Sequence, residues 1–331
     1  MSTNPRGRLL LASCRSGTYL ANAIHKQLQA NGHPDIPYLS NIDFQFADSE
    51  ICVRLDEDVS GCDVFLMQSL HDGLAETSVS ENYLAMCIAA RTLREWGAHK
   101  VTAILPYLAY ARQDKPTRLK REPTTAKLMA DLSIMSGIDR LITWHPHYQQ
   151  IHGFYGQIPV TVLEPFDLFT DIFDEFKGSD DTIIIAPDAG ASRLVTYLGR
   201  DLELPVAIAS KFHPNQGETE ITQIIGDFAN KSQALIFDDM MSSGGTVSQL
   251  VQKLAEDTNI DDMHLTISHN LCSDSAYHHL CQIHAEHGLR RVITMNTIPQ
   301  TEAFQELAFF NVIDLSTILT RAIEDIHFSR M

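Results

Sequence analysis

The segment Leu235-Ile236-Phe237-Asp238-Asp239-Met240-Met241-Ser242-Ser243-Gly244-Gly245-Thr246-Val247 constrains this chain more than any other. An apolar run ends in two adjacent carboxylates, crosses a loop of small residues, and resumes at helical spacing in Val247-Ser248-Gln249-Leu250-Val251. That order predicts a buried strand, a loop at its carboxyl end, and a helix amino terminus. Backbone N–H groups of Ser242 to Thr246, with the positive end of the helix dipole, then make a phosphate cradle. Gly244 and Gly245 let the main chain approach an anion, and Thr246 adds a hydroxyl donor. Asp238 and Asp239 cannot favour a phosphate; two acceptor-only carboxylates suit a sugar diol or a bridging divalent cation. The whole reads as a sugar-phosphate pocket. A solvated turn before a helix cap would use the same residue types, but the apolar run before and the amphipathic helix after favour the pocket. Gly-Lys-Ser/Thr occurs nowhere, so the cradle is not a P-loop.

With 331 residues the chain has room for one large or two medium domains. The net charge of −17 argues against a nucleic-acid or anionic-membrane partner. It also means that local basic residues and a metal ion must reverse the field wherever a phosphate binds. No apolar stretch reaches bilayer length, and residues 1–7 carry no signal-peptide core, which predicts a cytoplasmic protein. The six cysteines are scattered in apolar contexts and read as reduced thiols.

Apolar runs recur at Leu9 to Leu11, Val64 to Met67, Val101 to Leu105, Leu141 to Thr143, Thr182 to Ile185, Ala234 to Phe237 and Leu265 to Ile267. Helical spacing separates them over Thr18 to Ala30, Asn82 to Trp96, Thr124 to Ser136, Ala191 to Leu202 and Val247 to Ala255. Alternation of this kind predicts an α/β fold of mainly parallel sheets covered on both faces, with ligands at the carboxyl ends of strands. Ile158 to Pro165 is the best boundary, between domains at 1–164 and 165–313. Asp314 to His327 reads as a final amphipathic helix, and residues 314–331 are expected to pack on the first domain.

Further residues with chemistry follow strand ends. Arg112, Gln113, Asp114 and Lys115 come after Leu105; Arg112 offers a bidentate fork and Lys115 a point charge for polyphosphate. The basic stretch of Lys115, Arg118, Lys120 and Arg121 is equally compatible with a charged loop before a helix opened by Pro123. His145-Pro146-His147 suits a divalent metal or a nucleotide phosphate, though loop histidines are commonly structural. Asp188 either holds a cation or ribose hydroxyl, or caps the next helix. Lys211 to Glu218 reads as a mobile polar loop with a lysine able to close over phosphate. His278, His279, Cys281, His284 and His287 invite a zinc reading, but no CxxC or HExxH completes it, and a solvated histidine-rich helix is preferred.

Together these segments resemble the ribose-phosphate pyrophosphokinases. The resemblance is most specific over Pro106 to Lys127, with Tyr-x-x-Tyr-Ala-Arg-Gln-Asp and Arg-Glu-Pro-Thr-Thr-Ala-Lys. Phe46-Ala47-Asp48-Ser49-Glu50, Gly61 to Val64 with Gln68-Ser69, Gln150 to Phe154, Ala186 to Gly190 and Asp238 to Thr246 follow in family order. The resemblance implies tandem phosphoribosyltransferase-like (Rossmann-like) domains, the first for ATP and the second for ribose 5-phosphate. It implies Mg²⁺ as cofactor and transfer of the diphosphoryl group of ATP to O1 of ribose 5-phosphate. Arg112, Gln113, Asp114 and Lys115 would bind ATP, with Phe46, Asp48 and Glu50 reaching adenine in a neighbouring subunit. His147 and Asp188 would serve the metal; Asp238 and Asp239 would take the ribose hydroxyls; Ser242, Ser243, Gly244, Gly245 and Thr246 would cradle the phosphate. Lys211, His147 and Arg112 would be catalytic. A homo-oligomer built from dimers, up to a hexamer, is also implied.

Three positions depart from the family pattern. Lys-x-Arg is Lys211-Phe212-His213, Asp-Leu-His is His145-Pro146-His147, and the acidic residue and threonine of the sugar-phosphate loop are Ser242 and Ser243. They define an alternative: a homologue with an altered substrate, or a non-catalytic one that binds nucleotide and regulates a partner. A phosphoribosyltransferase that consumes the activated sugar is disfavoured, because Arg112-Gln113-Asp114 is an ATP segment rather than a base-binding hood.

Overall fold

Strands without polar alternation must be covered on both faces, and every apolar run named above lies in a strand of this kind. The computed structural model describes residues 5–74, 77–117, 119–212 and 220–328. Two units divide them: Met1–Leu163 with Thr297–Pro299 and Asp314–Met331, and Glu164–Asn296 with Gln300–Ile313.

In the first unit the chain runs through β1 (Leu9–Ser13), α1 (Thr18–Ala30), β2 (Tyr38–Leu39), β3 (Asp43–Gln45), β4 (Ile51–Val53) and β5 (Asp63–Met67). It continues through α2 (Val79–Glu95), β6 (Lys100–Ile104), α3 (Thr125–Met135), β7 (Arg140–Trp144), α4 (Ile151–Phe154) and β8 (Val160–Leu163). Six strands form a sheet in the order β2-β1-β5-β6-β7-β8, each neighbouring pair parallel. Every residue of β1 and β5 is buried. β3 and β4 form a separate antiparallel hairpin.

α2 begins three residues before its apolar periodicity because Ser78 and Glu81 close a reciprocal capping box: Glu81 N–H donates to Ser78 Oγ at 3.2 Å and Ser78 N–H to Glu81 Oε2 at 2.6 Å. Pro123 does not open a helix; α3 starts at Thr125 with Thr124 as its cap. The expected boundary segment also proves partly structural. Val160–Leu163 pairs with β7 as the sheet's last strand, and the division between units falls directly after it.

The second unit comprises α5 (Phe166–Ile172), β9 (Thr182–Ala186), α6 (Ser192–Asp201), β10 (Val206–Phe212), β11 (Glu220–Ile225), β12 (Gln233–Met241) and α7 (Gly245–Asp257). Then follow β13 (Asp262–Asn270), α8 (Asp274–Glu286), β14 (Leu289–Met295), α9 (Glu302–Gln305) and β15 (Phe310–Ile313). Its sheet order is β11-β10-β9-β12-β13-β14-β15, parallel except for β11. The core joins Ile183, Ile185, Ile236, Leu265 and Ile267 of the sheet to Val247, Leu250 and Leu254 of α7 and to Leu280 and Ile283 of α8.

The last helix, α10 (Ser316–Phe328), returns to the first unit beside α1. Gln27 Nε2 donates to Ser316 Oγ at 2.7 Å and Asn31 Nδ2 to Glu324 Oε1 at 3.0 Å, while His33 stacks on Phe328 at 4.4 Å. The buried anchor is Asp63, whose Oδ2 accepts from Arg6 Nε at 2.7 Å and from His327 Nδ1 at 2.9 Å. Burial alone would raise the Asp63 pKa. Hydrogen bonds and charge from His327 and Arg6 outweigh it and hold the carboxyl below the ordinary carboxylate range. Such a group stabilises the fold above its unfolded pKa of about 4 and stops doing so as pH falls through the lower folded value. His327→Ala leaves a buried carboxylate short of a partner and should cost about 3 kcal/mol or more. Urea unfolding at pH 7 measures the loss, and acid unfolding of the variant should begin at a higher pH than in the parent.

Candidate functional site

In the second unit, β10 lies on one side of β9 and β12 on the other, so the sheet order reverses between β9 and β12. Loops leaving the carboxyl ends of two such strands diverge and open a crevice. Asp188 follows β9 by two residues, and Asp238 and Asp239 lie in the last turns of β12. The strand continues past the carboxylates, contrary to the loop expected there, because β13 is long enough to keep pairing to Met241↔Asn270.

Two consequences follow from that geometry. First, α7 begins at Gly245 with Gly244 as its cap, at a left-handed φ of 78°, and no side chain caps the turn. The first N–H groups of a helix have no acceptor within it, so this turn presents donors and a positive dipole end at the crevice. A Cβ on Gly244 would meet Ala276 Cα at 3.3 Å and His279 Cβ at 3.4 Å, so glycine is required by both conformation and space. Secondly, the carboxylates repel one another. Asp238 is pushed well above the ordinary carboxylate range by burial, then by the charges of Asp239 and Asp188. Asp188 also accepts the N–H of Gly190 at 2.6 Å and of Ala191 at 3.3 Å, bonds that fold the loop; the cap position of α6 is Ala191, so Asp188 is not the helix cap the alternative reading expected.

In the first unit the loops after β6 and β7 meet. Trp144 N–H donates to Pro106 O at 3.2 Å. Tyr110, at a left-handed φ of 63°, lies 2.7 Å through its hydroxyl from Ser80 Oγ on α2. Gln113 N–H donates to Tyr110 O, and Ala126 N–H at the start of α3 donates to Gln113 O. These contacts hold the turn that carries Arg112, Gln113 and Asp114. Arg112 and Gln113 remain exposed, and Asp114 is half-buried. Lys115 Nζ sits 5.1 Å over the Tyr148 ring, whose other neighbour is the His147 ring at 4.3 Å. The Arg112–Lys115 segment and the His145–His147 loop thus form one basic constellation. His145 is likewise left-handed, at φ 37°.

Phe46, Asp48 and Glu50 occupy the tip of the β3–β4 hairpin. Phe46 N–H donates to Glu50 O at 2.8 Å and Asp48 Oδ1 accepts from Glu50 N–H at 3.1 Å. Phe46 is 50% exposed. Lys211 departs from expectation: it belongs to β10, in register with Ile221 of β11, past an irregularity at Ser210. The antiparallel partner extends the strand beyond the end of the parallel ladder. His213 and the rest of the expected loop to Glu218 lie outside the described residues, as does Arg118.

The model of the N-terminal domain of ribose phosphate pyrophosphokinase matches residues 9–137. A ribose-phosphate pyrophosphokinase from Mycoplasma pneumoniae is 34% identical over 274 residues, covering 83% of this chain and 80% of the relative. This chain belongs to the ribose-phosphate pyrophosphokinase family. The enzyme of that name from Mycobacterium leprae is 32% identical over 328 residues, covering 97% of the chain and 94% of the relative. Among solved structures, the crystal structure of phosphoribosylpyrophosphate synthetase from Mycobacterium smegmatis superposes with a TM-score of 0.84 at 31% identity, over 98% of this chain and 100% of that one. The α/β fold with mainly parallel sheets is therefore the family's.

Sequence reasoning missed three participants. Tyr148 and Ser80 gave no signal, because an isolated Tyr or Ser is ordinary surface chemistry. The third is α8, whose histidines are not simply solvated. His279 Nδ1 lies 2.8 Å from Ser243 O, while His284 Nδ1 lies 2.6 Å from Leu289 O and stacks on Phe309 at 3.9 Å. Among the described residues no three His, Cys, Asp or Glu side chains gather as a metal-holding group.

The like-charge cluster makes a prediction with an unusual sign. A carboxyl whose folded pKa is raised stabilises the fold least at high pH, because stability falls as pH climbs from about 4 through the raised value. Asp238→Asn should therefore stabilise the unliganded protein at pH 8 by about 1 kcal/mol. Thermal unfolding at pH 8 and at pH 4 measures this, and the gain should shrink at the lower pH.

Proposed function

We propose that this chain is a ribose-phosphate diphosphokinase that transfers the diphosphoryl group of ATP to O1 of ribose 5-phosphate. The observation that carries the reading is the uncapped amino end of α7 beside the acidic cluster of Asp188, Asp238 and Asp239, at the point where the sheet order reverses. Donors for a phosphate and acceptors for sugar hydroxyls sit where one pentose phosphate can use both.

Roles follow from the chemistry of each group. Ser242, Ser243, Gly244, Gly245 and Thr246 receive the 5-phosphate, and Asp238 and Asp239 accept from the ribose hydroxyls. Arg112, Gln113, Asp114 and Lys115 bind ATP, Arg112 and Lys115 at its phosphates, with His147 donating beside them. The exposed hairpin tip supports a role for Phe46, Asp48 and Glu50 at the adenine of a neighbouring copy, hence a homo-oligomer built from dimers, up to a hexamer. The six free cysteines fit a cytoplasmic setting.

Oxygen donors that repel one another suit a hard cation, and Mg²⁺ is commonly held by one or two carboxylates with substrate phosphates completing its shell. Asp188 fits that role better than His147, since imidazole is a soft partner for Mg²⁺. When bound, Mg²⁺ supplies charge neutralisation on the triphosphate. The ribose O1 hydroxyl attacks the β-phosphorus of ATP, the bond from that phosphorus to the α-phosphoryl bridging oxygen breaks, AMP leaves, and the hydroxyl proton passes to solvent. Arg112 and Lys211 stabilise charge on the group in transit, and positioning does most of the rest.

A coupled assay for AMP, with ATP, Mg²⁺ and ribose 5-phosphate, tests the proposal: AMP should appear only with all three. Arg112→Ala should lower kcat/KM by about 10²-fold or more. Nucleotide binding without AMP for any ribose phosphate would replace this reading by a regulatory homologue; turnover confined to another ribose phosphate would replace the substrate. Both outcomes bear on the departures at His145, Lys211-Phe212-His213 and Ser242.

A further inference from the structure

A cradle of N–H groups works only if the carbonyls of the same loop point elsewhere. Three consecutive peptide units cannot present donors to an anion and leave their carbonyl oxygens beside it, because carbonyl and phosphate oxygens repel. In the loop of Ser242 to Gly244, Gly244 O accepts from Ser248 N–H inside α7, and the carbonyls of Ser242 and Ser243 are held by side chains of one element, α8. Ser273, the cap of α8, donates Oγ–H to Ser242 O at 2.6 Å while accepting the N–H of Ala276 at 3.2 Å. Ser275 Oγ donates to Ser243 O at 3.2 Å. His279 Nδ1 lies 2.8 Å from the same oxygen. A carbonyl can only accept, so this ring nitrogen carries the proton. Two carbonyls therefore take three donors, with both lone pairs of Ser243 O used.

The arrangement is close-packed as well as hydrogen-bonded. Gly244 adopts its left-handed conformation directly against Ala276 and His279. The Ser273 and Ser275 hydroxyls also lie 3.2 Å apart. Every one of these contacts belongs to the second unit.

We infer that α8 is a buttress for the phosphate loop and that His279 is a positioning residue for ribose 5-phosphate. By pulling the Ser243 carbonyl back, His279 turns the next peptide N–H towards the anion and holds the donors in their bound orientation before ligand arrives. The inference rests on the assignment of this loop to the 5-phosphate. It gives the histidine-rich helix a function without a metal.

The test compares His279→Leu, which removes the donor, with His279→Asn, which keeps a donor nitrogen at the same distance along the side chain. His278→Leu, a neighbouring exposed position on the same helix, is the control. KM for ribose 5-phosphate and KM for ATP are measured in the full-length protein, with calorimetry of ribose 5-phosphate binding alongside. Loss of one such hydrogen bond should raise KM for ribose 5-phosphate about fivefold to tenfold in His279→Leu, leave KM for ATP unchanged, and be largely reversed in His279→Asn. An equal rise in both KM values, or a Leu variant that binds ribose 5-phosphate as the parent does, overturns the inference. If the parent itself shows no saturable ribose 5-phosphate binding, the assignment of the loop falls instead. Should His279→Leu fail to fold, His279→Asn and Ser273→Ala still separate the outcomes, since Ser273→Ala must move the same KM alone.

Discussion

A parallel sheet buries both faces of its strands, and each strand can be followed only by a connection that crosses back over the sheet, here mostly a helix. That constraint places helix amino termini along the carboxyl edge of the sheet, with their unpaired N–H groups and positive dipole ends. The acidic character of this chain makes the arrangement consequential. A net charge of −17 works against phosphate wherever no local positive charge offsets it, and fixed donors that cost no further charge are one way to bind an anion there. Backbone N–H groups at the start of α7 are such donors. The basic segment around Arg112 and Lys115 lies at the carboxyl edge of the other sheet.

The same edge gathers charge of the opposite sign. Asp188, Asp238 and Asp239 are brought together because β9 and β12 are neighbours at the reversal of strand order, although they are about fifty residues apart in the chain. The charges of Asp239 and Asp188 on buried Asp238 are a strain the fold carries. Sites of this kind trade stability for function. Tolerance of the strain depends on the rest of the unit being well packed, and the continuous core beneath α7 and α8 provides that.

Much of the fold was legible. The runs at Leu9, Val64, Val101, Thr182 and Ala234 are too uniformly apolar and too short to be anything but covered strands, and α1 matches its periodic segment residue for residue. β14 (Leu289–Met295) and β15 (Phe310–Ile313) were not among the runs read, and the shortest missed strands have a physical cause. β2 has two residues, β3 and β4 three each, and none is long enough to show a period. β11 carries its pattern only as the partner of β10. At the site, Asp238 to Thr246 could be read because strand, acid pair, small-residue loop and helix follow one another without interruption. Ser273 and His279 could not, since their only relevance lies in carbonyls some thirty residues earlier.

What the sequence determined by itself is the local grammar: which runs are strands, where a helix must start, which residues can donate to phosphate or accept from a sugar. Those properties depend on side-chain chemistry and on spacing within a few residues. The tertiary structure decided adjacency. It set β9 beside β12, so that Asp239 and Asp188 act on buried Asp238; it turned α8 onto the loop of Ser242 to Gly244; and it fastened α10 to Asp63 through His327. Adjacency of this sort is a property of the packed sheet and helices, where groups remote in the chain share one dielectric and one set of hydrogen bonds.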